Sequence, residues 1–114
     1  MSSDCLFCKI VHGTIPVARL YADEEIIAFA DIHPQAPVHI LVIPKQHIAS
    51  LAHTKPEDEA RLGRLLAAAV EVARQQGLEN GYRLVVNTGP DGGQTVGHLH
   101  VHLLGGRHMG WPPG

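Results

Sequence analysis

Three histidines stand at alternate positions in the segment His98-Leu99-His100-Val101-His102-Leu103-Leu104. Side chains of an extended strand point alternately to its two faces, so this spacing would place the imidazoles on one face and the intervening Leu and Val residues on the other. The segment is therefore predicted to be a strand that covers a hydrophobic core and presents ring nitrogens opposite. Imidazole can act as a nucleophile, as an acid or base near neutral pH and as a metal ligand.

The rest of the pattern predicts an α+β fold with a mostly antiparallel sheet of about five strands, one long helix and one short helix. The short helix is expected over residues 4–11, and the long one from a capping box of Thr54 and Glu57 to a stop at Gly77. The long helix has an apolar stripe at helical spacing, Leu62, Leu65, Leu66, Ala69, Val72 and Ala73. Strands are expected over 17–22, 26–31, 39–45, 82–87 and 98–104.

Composition narrows the class of protein. A chain of 114 residues with 45% hydrophobic and 18% charged residues is typical of a soluble protein, and a single domain over 1–114 is expected. The net charge of -2 argues against a nucleic-acid polymer as partner, because phosphate binding needs clustered Lys and Arg. The longest apolar runs, 40–43 and 65–70, are too short to span a membrane. No secretory pattern opens the chain, so a cytoplasmic protein is expected.

Two cysteines lie close together in Cys5-Leu6-Phe7-Cys8. Two thiolates at this spacing can chelate a tetrahedral zinc ion but supply only half of its shell, and histidines commonly supply the rest. Nine histidines are available in the chain. The alternative is that Cys8 is a small core residue and Cys5 a surface thiol.

The histidine row itself allows two kinds of chemistry. Three imidazoles on one zinc ion would make a metallohydrolase, but same-face neighbours on a strand are about 6–7 Å apart, so all three could share a metal only with strain. In the other interpretation one imidazole attacks phosphorus and its neighbours donate hydrogen bonds or relay protons. The preceding glycine-rich segment, residues 89–95, could turn backbone amides toward a phosphate. Taken alone, such a loop is better explained as a plain hairpin connection, but its place next to three histidines favours the phosphate interpretation.

These segments together resemble the histidine triad superfamily, whose motif is His-x-His-x-His-x-x with apolar x. The resemblance extends beyond the motif to 5–10, 31–37, 39–45, Asn87, 91–94 and the ending Trp111-Pro112-Pro113-Gly114. That ending is similar to the branch of histidine triad nucleotide-binding (Hint) proteins, which are purine nucleoside phosphoramidases, more than to the dinucleoside polyphosphate hydrolases.

The resemblance implies a catalytic set of His100, His102, His39 and Thr95. His100 would be the nucleophile that attacks the α-phosphorus of a nucleoside phosphoramidate, and water would then release the nucleoside monophosphate from a nucleotidyl-histidine intermediate. His102 and His39 would contact phosphate oxygens and relay protons. Thr95 would offer a hydroxyl to the leaving amine, in a place where better-known members carry Ser. Gly97 replaces a bulkier residue, so the choice of leaving group stays open.

The resemblance also implies a nucleotide site, with Asp31 on the ribose hydroxyls and apolar walls around the purine. Its residues would be Ile15, Phe29, Asp31, Ile32, Asn87, Gly93, Thr95, Val96, His100 and His102. Taken alone, Phe29 and Ile32 are better explained as core residues. Members of the family are homodimers with a sheet continuous across the interface, and Trp111 would reach the partner's site.

A zinc ion is implied as well, held by Cys5, Cys8, His47 and His98. A shell of two thiolates and two imidazoles is closed, hence structural, and no catalytic metal is required. Other functions stay open at this point: a nucleotide-binding interaction or regulatory protein with incidental turnover, a dinucleoside polyphosphate hydrolase, and a zinc hydrolase built on the triad. The remaining histidines, His12, His33, His53 and His108, are expected at the surface or in turns without a role.

Overall fold

A five-stranded antiparallel sheet in the order β1-β2-β3-β5-β4 organises the computed structural model, which describes residues 4–114. The strands are β1 Tyr21–Ala22, β2 Ile26–Ala30, β3 Val38–Pro44, β4 Tyr82–Val85 and β5 Val101–Gly105. The helices are α1 Leu6–Val11 and α2 Glu59–Gln75, with short 3-10 turns at Leu51–His53 and Pro56–Asp58. The predicted α+β fold is confirmed. Met1 to Ser3, which the single-domain expectation includes, lie outside the described residues.

Each face of the sheet covers its own hydrophobic cluster, because alternate residues of each strand point to opposite sides. The helix-side cluster packs the sheet against α2 and includes Ile26, Val42, Leu65, Val72, Leu99, Val101 and Leu103. The opposite cluster lies under α1 and contains Phe7, Ile10, Ile27, Phe29, Leu41 and Ile43. The predicted alternation is thus confirmed, with Leu99, Val101 and Leu103 in the helix-side core.

The strand at the histidine motif is shorter than predicted. β5 begins at Val101, and the preceding residues leave the ladder because the Leu99 N–H donates instead to the Ile48 carbonyl oxygen, at 2.7 Å. β4 likewise ends at Val85 rather than at 87, and only Tyr21–Ala22 of the expected 17–22 strand is paired. The predicted face of Leu99 is nevertheless correct, because this residue is buried in the helix-side cluster.

The start of the long helix differs from the prediction. The Thr54 hydroxyl donates to the Leu51 carbonyl oxygen at 2.7 Å, so the expected capping box with Glu57 does not form. Instead the Asp58 carboxylate accepts the Lys55 N–H at 2.9 Å and an Arg61 guanidinium N–H at 2.6 Å, and the α-helix begins one residue later.

The buried stripe of α2 also needs one correction. Leu66 was expected in the stripe but is 48% exposed, whereas Leu65 is only 2% exposed and Ala68, which the pattern omitted, is buried. Leu62 is half-buried at the edge of the helix-side cluster. Within residues 4–114, none of the helices combines the length and the apolar character needed to cross a membrane.

Candidate active site and metal cluster

The histidines of the motif share the sheet face that lies opposite α2. Antiparallel pairing of β3 with β5 sets His102 opposite Leu41, and His39 opposite Leu104, two positions further along. His39 and His102 are therefore diagonal neighbours on one face, close enough for their side chains to meet. Their ring nitrogens, His39 Nε2 and His102 Nδ1, are 2.9 Å apart.

A main-chain donor fixes the direction of this imidazole pair. The Gln35 N–H donates to His39 Nδ1 at 3.0 Å, so neutral His39 carries its proton on Nε2 and donates it to His102 Nδ1. Neutral His102 must then carry its own proton on Nε2, as a donor directed away from His39. The Asp31 carboxylate stands 3.5 Å from His39 Nε2, and its other oxygen accepts the His33 N–H at 2.8 Å.

The environment keeps His102 neutral. The pKa of His102 is lowered to about 4. Burial is the largest cause, and the nearby His100 and His39 rings add to it. Its ordinary value is about 6.5, so at neutral pH the ring retains one donor and one acceptor nitrogen. In this state His102 Nδ1 can accept the proton of His39 Nε2, which completes the hydrogen bonds from the Gln35 N–H through His39 to His102.

His100 lies beside this pair and is held by a different main-chain group. Its Nδ1–H donates to the His98 carbonyl oxygen at 2.6 Å, which leaves the Nε2 lone pair free. The ring is buried, with the edge of Phe7 at a centroid distance of 5.2 Å and the His102 ring at 4.9 Å. A buried imidazole with one nitrogen anchored and the other unprotonated is suited to act as a nucleophile.

His98 belongs to a second group of side chains, formed with both cysteines and His47. Its Nε2–H donates to the Pro44 carbonyl oxygen at 2.9 Å, so Nδ1 is the free nitrogen, and it lies 3.3 Å from Cys5 Sγ and 3.6 Å from Cys8 Sγ. His47 Nδ1 lies 3.3 Å from Cys8 Sγ. The four ligand atoms are all within 4.8 Å of one another.

These four side chains fit a zinc ion. Tetrahedral bonds of about 2.3 Å to sulfur and 2.0–2.1 Å to nitrogen place neighbouring ligands about 3.5 Å apart, which matches the S···N distances here. Burial, followed by the neighbouring Cys5, raises the pKa of the Cys8 thiol to about 11, and burial lowers the pKa of His98. A cation would reverse the first effect, because it stabilises the thiolate.

Asp31, His39 and His102 form the other group of possible metal donors found among residues 4–114, also within 4.8 Å. Here the hydrogen bonds oppose a metal, because the Gln35 N–H occupies His39 Nδ1 and keeps the proton on Nε2, the nitrogen that would have to bind. The geometry also divides the triad, since His98 joins the cysteines and His102 joins Asp31. One zinc ion on all three histidines does not fit this arrangement.

The glycine-rich loop borders the histidines. Gly89 and Gly93 have φ values of +70° and +76°, a conformation that favours glycine. The Gln94 side chain, which the sequence analysis did not single out, accepts the Gly89 N–H and donates to the carbonyl oxygens of Ala49 and Val96 at 2.7–3.0 Å. These bonds fix the loop against the segment that follows β3, with the Thr95 side chain exposed and Asn87 half-buried.

The residues expected around the purine are only partly gathered. Phe29 is buried in the cluster under α1, and Ile15 packs half-buried against that cluster, as does Val96, which was expected on the phosphate side. Ile32 is 85% exposed and packs in neither cluster, so the core alternative is wrong for this residue. Phe7, which sequence reasoning missed, contacts the rings of Phe29, His98 and His100 edge to face.

A hydrogen-bonded imidazole pair, a buried imidazole with one free ring nitrogen and a Cys2His2 cluster lie on one sheet face. Together they define a class of protein with histidine-based chemistry beside a cluster that fits a metal ion. Comparison with known proteins identifies this class. The sequence model of the HIT domain family matches residues 12–109. The chain therefore belongs to that family, the histidine triad superfamily.

Individual relatives agree with this assignment. The chain is 53% identical to a 14 kDa zinc-binding protein of Zea mays, over 98% of this chain and 89% of that protein. It superimposes on a HIT family hydrolase from Legionella pneumophila Philadelphia 1 with a TM-score of 0.95, at 52% identity over 97% of this chain and 100% of the other. A histidine triad nucleotide-binding protein from Candida albicans matches with a TM-score of 0.82, at 32% identity over 96% and 83% of the two chains.

Proposed function

We propose that the protein is a hydrolase of the Hint branch that cleaves the P–N bond of purine nucleoside phosphoramidates through a nucleotidyl intermediate on His100. The observation that carries this proposal is the anchored tautomer of His100. Its Nδ1–H is held by the His98 carbonyl oxygen at 2.6 Å, which directs the Nε2 lone pair away from the backbone. The hydrolase and the nucleotide-binding protein among the structural relatives support the same assignment.

The reaction proceeds in two displacements. In the first, His100 Nε2 forms a bond to the α-phosphorus while the P–N bond breaks, and its electron pair goes to the leaving nitrogen. The Thr95 hydroxyl gives this nitrogen a proton, takes one from water in return, and a neutral amine departs. In the second, water attacks phosphorus, the P–Nε2 bond breaks, and a proton returns to solvent. Covalent catalysis thereby divides one difficult displacement into two easier ones.

The neighbouring side chains stabilise charge and position in both steps. The Nε2–H of neutral His102 donates to a phosphate oxygen, and His39 holds that tautomer through the 2.9 Å bond to His102 Nδ1. Hydrogen bonds that are already oriented toward the developing charge need no reorganisation in the transition state. Asp31 binds the ribose hydroxyls. Ile15, Phe29 and Ile32 contact the purine. The phosphate side is formed by Asn87, Gly93, Thr95 and Val96.

The remaining assignments complete the proposal. Cys5, Cys8, His47 and His98 hold a structural zinc ion, whose closed shell leaves no position for substrate. The chain forms one cytoplasmic domain that works as a homodimer, with Trp111, which is 83% exposed in the single chain, directed to the partner's site. Neither a membrane nor a nucleic-acid polymer is a partner.

The test replaces the nucleophile. His100→Ala is expected to bind adenosine monophosphate with little change in Kd, and to lose at least about a thousandfold in turnover of an adenosine phosphoramidate, because the covalent path is removed. His12→Ala, at an exposed position after α1, serves as the matched control and should retain full turnover.

A trapped intermediate gives a second measurement. Acid quenching of the wild-type protein during turnover should leave a nucleotidyl adduct on the peptide that contains His100, visible by mass spectrometry, and the adduct should be absent from His100→Ala. Retained turnover in His100→Ala, or an adduct on another residue, would show that the assigned nucleophile is wrong.

A further inference from the structure

The segment that follows β5 lies against the connection between β2 and β3, residues 31–37. Val38, the first residue of β3, pairs with Gly105, the last residue of β5, so the two segments leave the sheet side by side. Gly106 has a φ of +87°, and a Cβ atom there would stand 2.8 Å from Pro37 Cβ. A glycine at this position therefore permits the close approach of the two segments.

Arg107, the next residue, joins the two segments by a hydrogen bond. Its Nη2 donates to the Gln35 carbonyl oxygen at 3.1 Å, while Nη1 donates to the His108 carbonyl oxygen at 3.1 Å. A charged donor makes a stronger hydrogen bond than a neutral one. Within the described part of the chain, the other hydrogen bonds of residues 31–37 are made among residues 31–39. Arg107 is thus the donor that reaches this connection from a distant position, 72 residues along the chain.

The residue that Arg107 holds is the one that orients His39. The Gln35 N–H donates to His39 Nδ1 at 3.0 Å, and His39 Nε2 lies 2.9 Å from His102 Nδ1. The N–H and the carbonyl of Gln35 flank one Cα with only two soft dihedral angles, so a bond at the carbonyl restricts movement of the N–H. Without a donor at Nδ1, neutral His39 could carry its proton on either nitrogen. A proton on Nδ1 would leave Nε2 with nothing to donate to His102.

We propose that Arg107 is a positioning residue, which holds the Gln35 backbone so that the Gln35 N–H stays on His39 Nδ1 and the His39 proton stays on Nε2 for His102. Its effect on turnover rests on the proposed function, in which His102 donates to a phosphate oxygen. Arg107 is itself exposed and acts through His39. Its loss should therefore affect the reaction step more than the binding of substrate.

The first experiment removes the guanidinium and keeps most of the aliphatic stem. With adenosine phosphoramidate as substrate, Arg107→Met is expected to lower kcat by about tenfold and to leave KM within about twofold. Arg107→Lys, which retains one cationic donor for the single bond to Gln35, should restore kcat to within about threefold of the wild type.

Arg19→Met is the matched control. Arg19 is also exposed, and its guanidinium likewise donates to a main-chain carbonyl oxygen, that of Val11 at 2.9 Å, at the end of α1. It has no bond to the connection between β2 and β3, so its replacement should leave kcat unchanged.

The second experiment asks whether Arg107 acts through His39. In a His39→Ala background, Arg107→Met should change kcat by less than about twofold, because the interaction that Arg107 supports has already been removed. An arginine that contacts the phosphate directly, or that only stabilises the fold, would keep its tenfold effect in this background. That result would overturn the proposal.

The third experiment needs no turnover. Long-range proton–nitrogen NMR spectra at neutral pH, with His39 assigned from the signals lost in His39→Ala, should show the wild-type ring protonated on Nε2 alone. Arg107→Met should show both tautomers of His39, and Arg19→Met only the first. Should Arg107→Met fail to unfold cooperatively on heating, Arg107→Gln takes its place, with a smaller shift in the same direction.

The outcomes separate the two proposals. An unchanged His39 tautomer in the folded Arg107 variant overturns the positioning role, whether or not the wild type cleaves the phosphoramidate. A shifted tautomer in a protein whose wild type does not cleave it supports the hold of Arg107 on His39 and overturns the proposed function.

Discussion

The histidines of the site differ in role because each ring is held by a different main-chain group. The Pro44 carbonyl oxygen binds His98 at Nε2 and so turns Nδ1 toward the cysteines. The His98 carbonyl oxygen binds His100 at Nδ1 and so frees Nε2. The Gln35 N–H meets His39 at Nδ1 and makes it a donor to His102. Chemically identical side chains are thus presented differently, with Nδ1 free at His98, Nε2 free at His100 and Nε2–H as a donor at His39.

At this scale we expect the His102 ring to remain neutral across the physiological pH range. Its pKa is lowered to about 4, first by burial and then by the neighbouring His100 and His39 rings. In a histidine-selective NMR titration, the ring should keep its Nε2–H tautomer down to about pH 5, well below the ordinary histidine value of about 6.5.

The variant His39→Ala sharpens this prediction. It opens the site to water and removes the ring whose Nε2–H donates to His102 Nδ1, so the pKa of His102 should rise toward 6.5. In the wild-type protein, the lowered pKa of His102 also makes the folded state less stable in acid. Between about pH 6.5 and 4 the unfolded chain binds a proton at this ring and the folded chain does not, so the free energy of unfolding falls as the pH is lowered through that window. A His102 resonance that titrates near 6.5 in the wild type would contradict the assignment.

At the scale of elements, features that follow from the side-chain pattern could be predicted from the sequence. Features that depend on a single hydrogen bond to a main-chain group could not. The alternation of His98, His100 and His102 correctly predicted two faces, since a period of two follows from strand geometry alone. The strand limits were wrong where a main-chain bond, Leu99 N–H to Ile48 O, competes with the ladder. The capping box failed for a similar reason, because the Thr54 hydroxyl binds Leu51 O instead. Such local competition leaves no mark in a residue pattern.

The candidate site shows the same division. The sequence resemblance named Cys5, Cys8, His47 and His98 together, and the structure places them within 4.8 Å of one another. The resemblance could not reveal the roles of Gln35 N–H and Pro44 O, because any residue type offers these atoms. It included Gln94 in the segment 91–94 but gave it no role, whereas its side chain fixes the glycine-rich loop through contacts with residues up to 45 positions away.

The orientation of α2 can be tested with two adjacent leucines. Leu65 is 2% exposed and lies in the helix-side cluster, whereas Leu66 is 48% exposed. Leu65→Ala should lower the free energy of unfolding by about 2–5 kcal/mol, through lost apolar burial and the cavity left behind. Leu66→Ala should change it by less than about 1 kcal/mol. Denaturant unfolding of both variants measures the difference, and equal losses would mean that the helix is rotated from the position described.

Across the whole molecule, the Cys2His2 cluster joins parts of the chain that are far apart in sequence. Cys5 precedes α1 and Cys8 lies in its first turn, His47 follows β3, and His98 precedes β5. The Cys5–His98 contact therefore spans 93 positions. The same His98 whose Nδ1 faces the cysteines supplies the carbonyl oxygen that anchors His100. A bound metal would therefore stabilise the fold. Only His98 would separate it from His100, and it would not contact the substrate.

This arrangement predicts that metal removal affects stability more than chemistry. A ligand that binds only the folded state, at 100 times its Kd, adds about 2.7 kcal/mol, so chelation of zinc-loaded protein should lower the Tm by several degrees. Turnover below the Tm should change little, because the closed shell offers no coordination position to the substrate. The variant with Cys5→Ala and Cys8→Ala together should bind no zinc and show no response to chelator. One zinc per chain retained by that variant would mean that the cysteines are not ligands. Loss of turnover on chelation at unchanged Tm would instead indicate a catalytic metal.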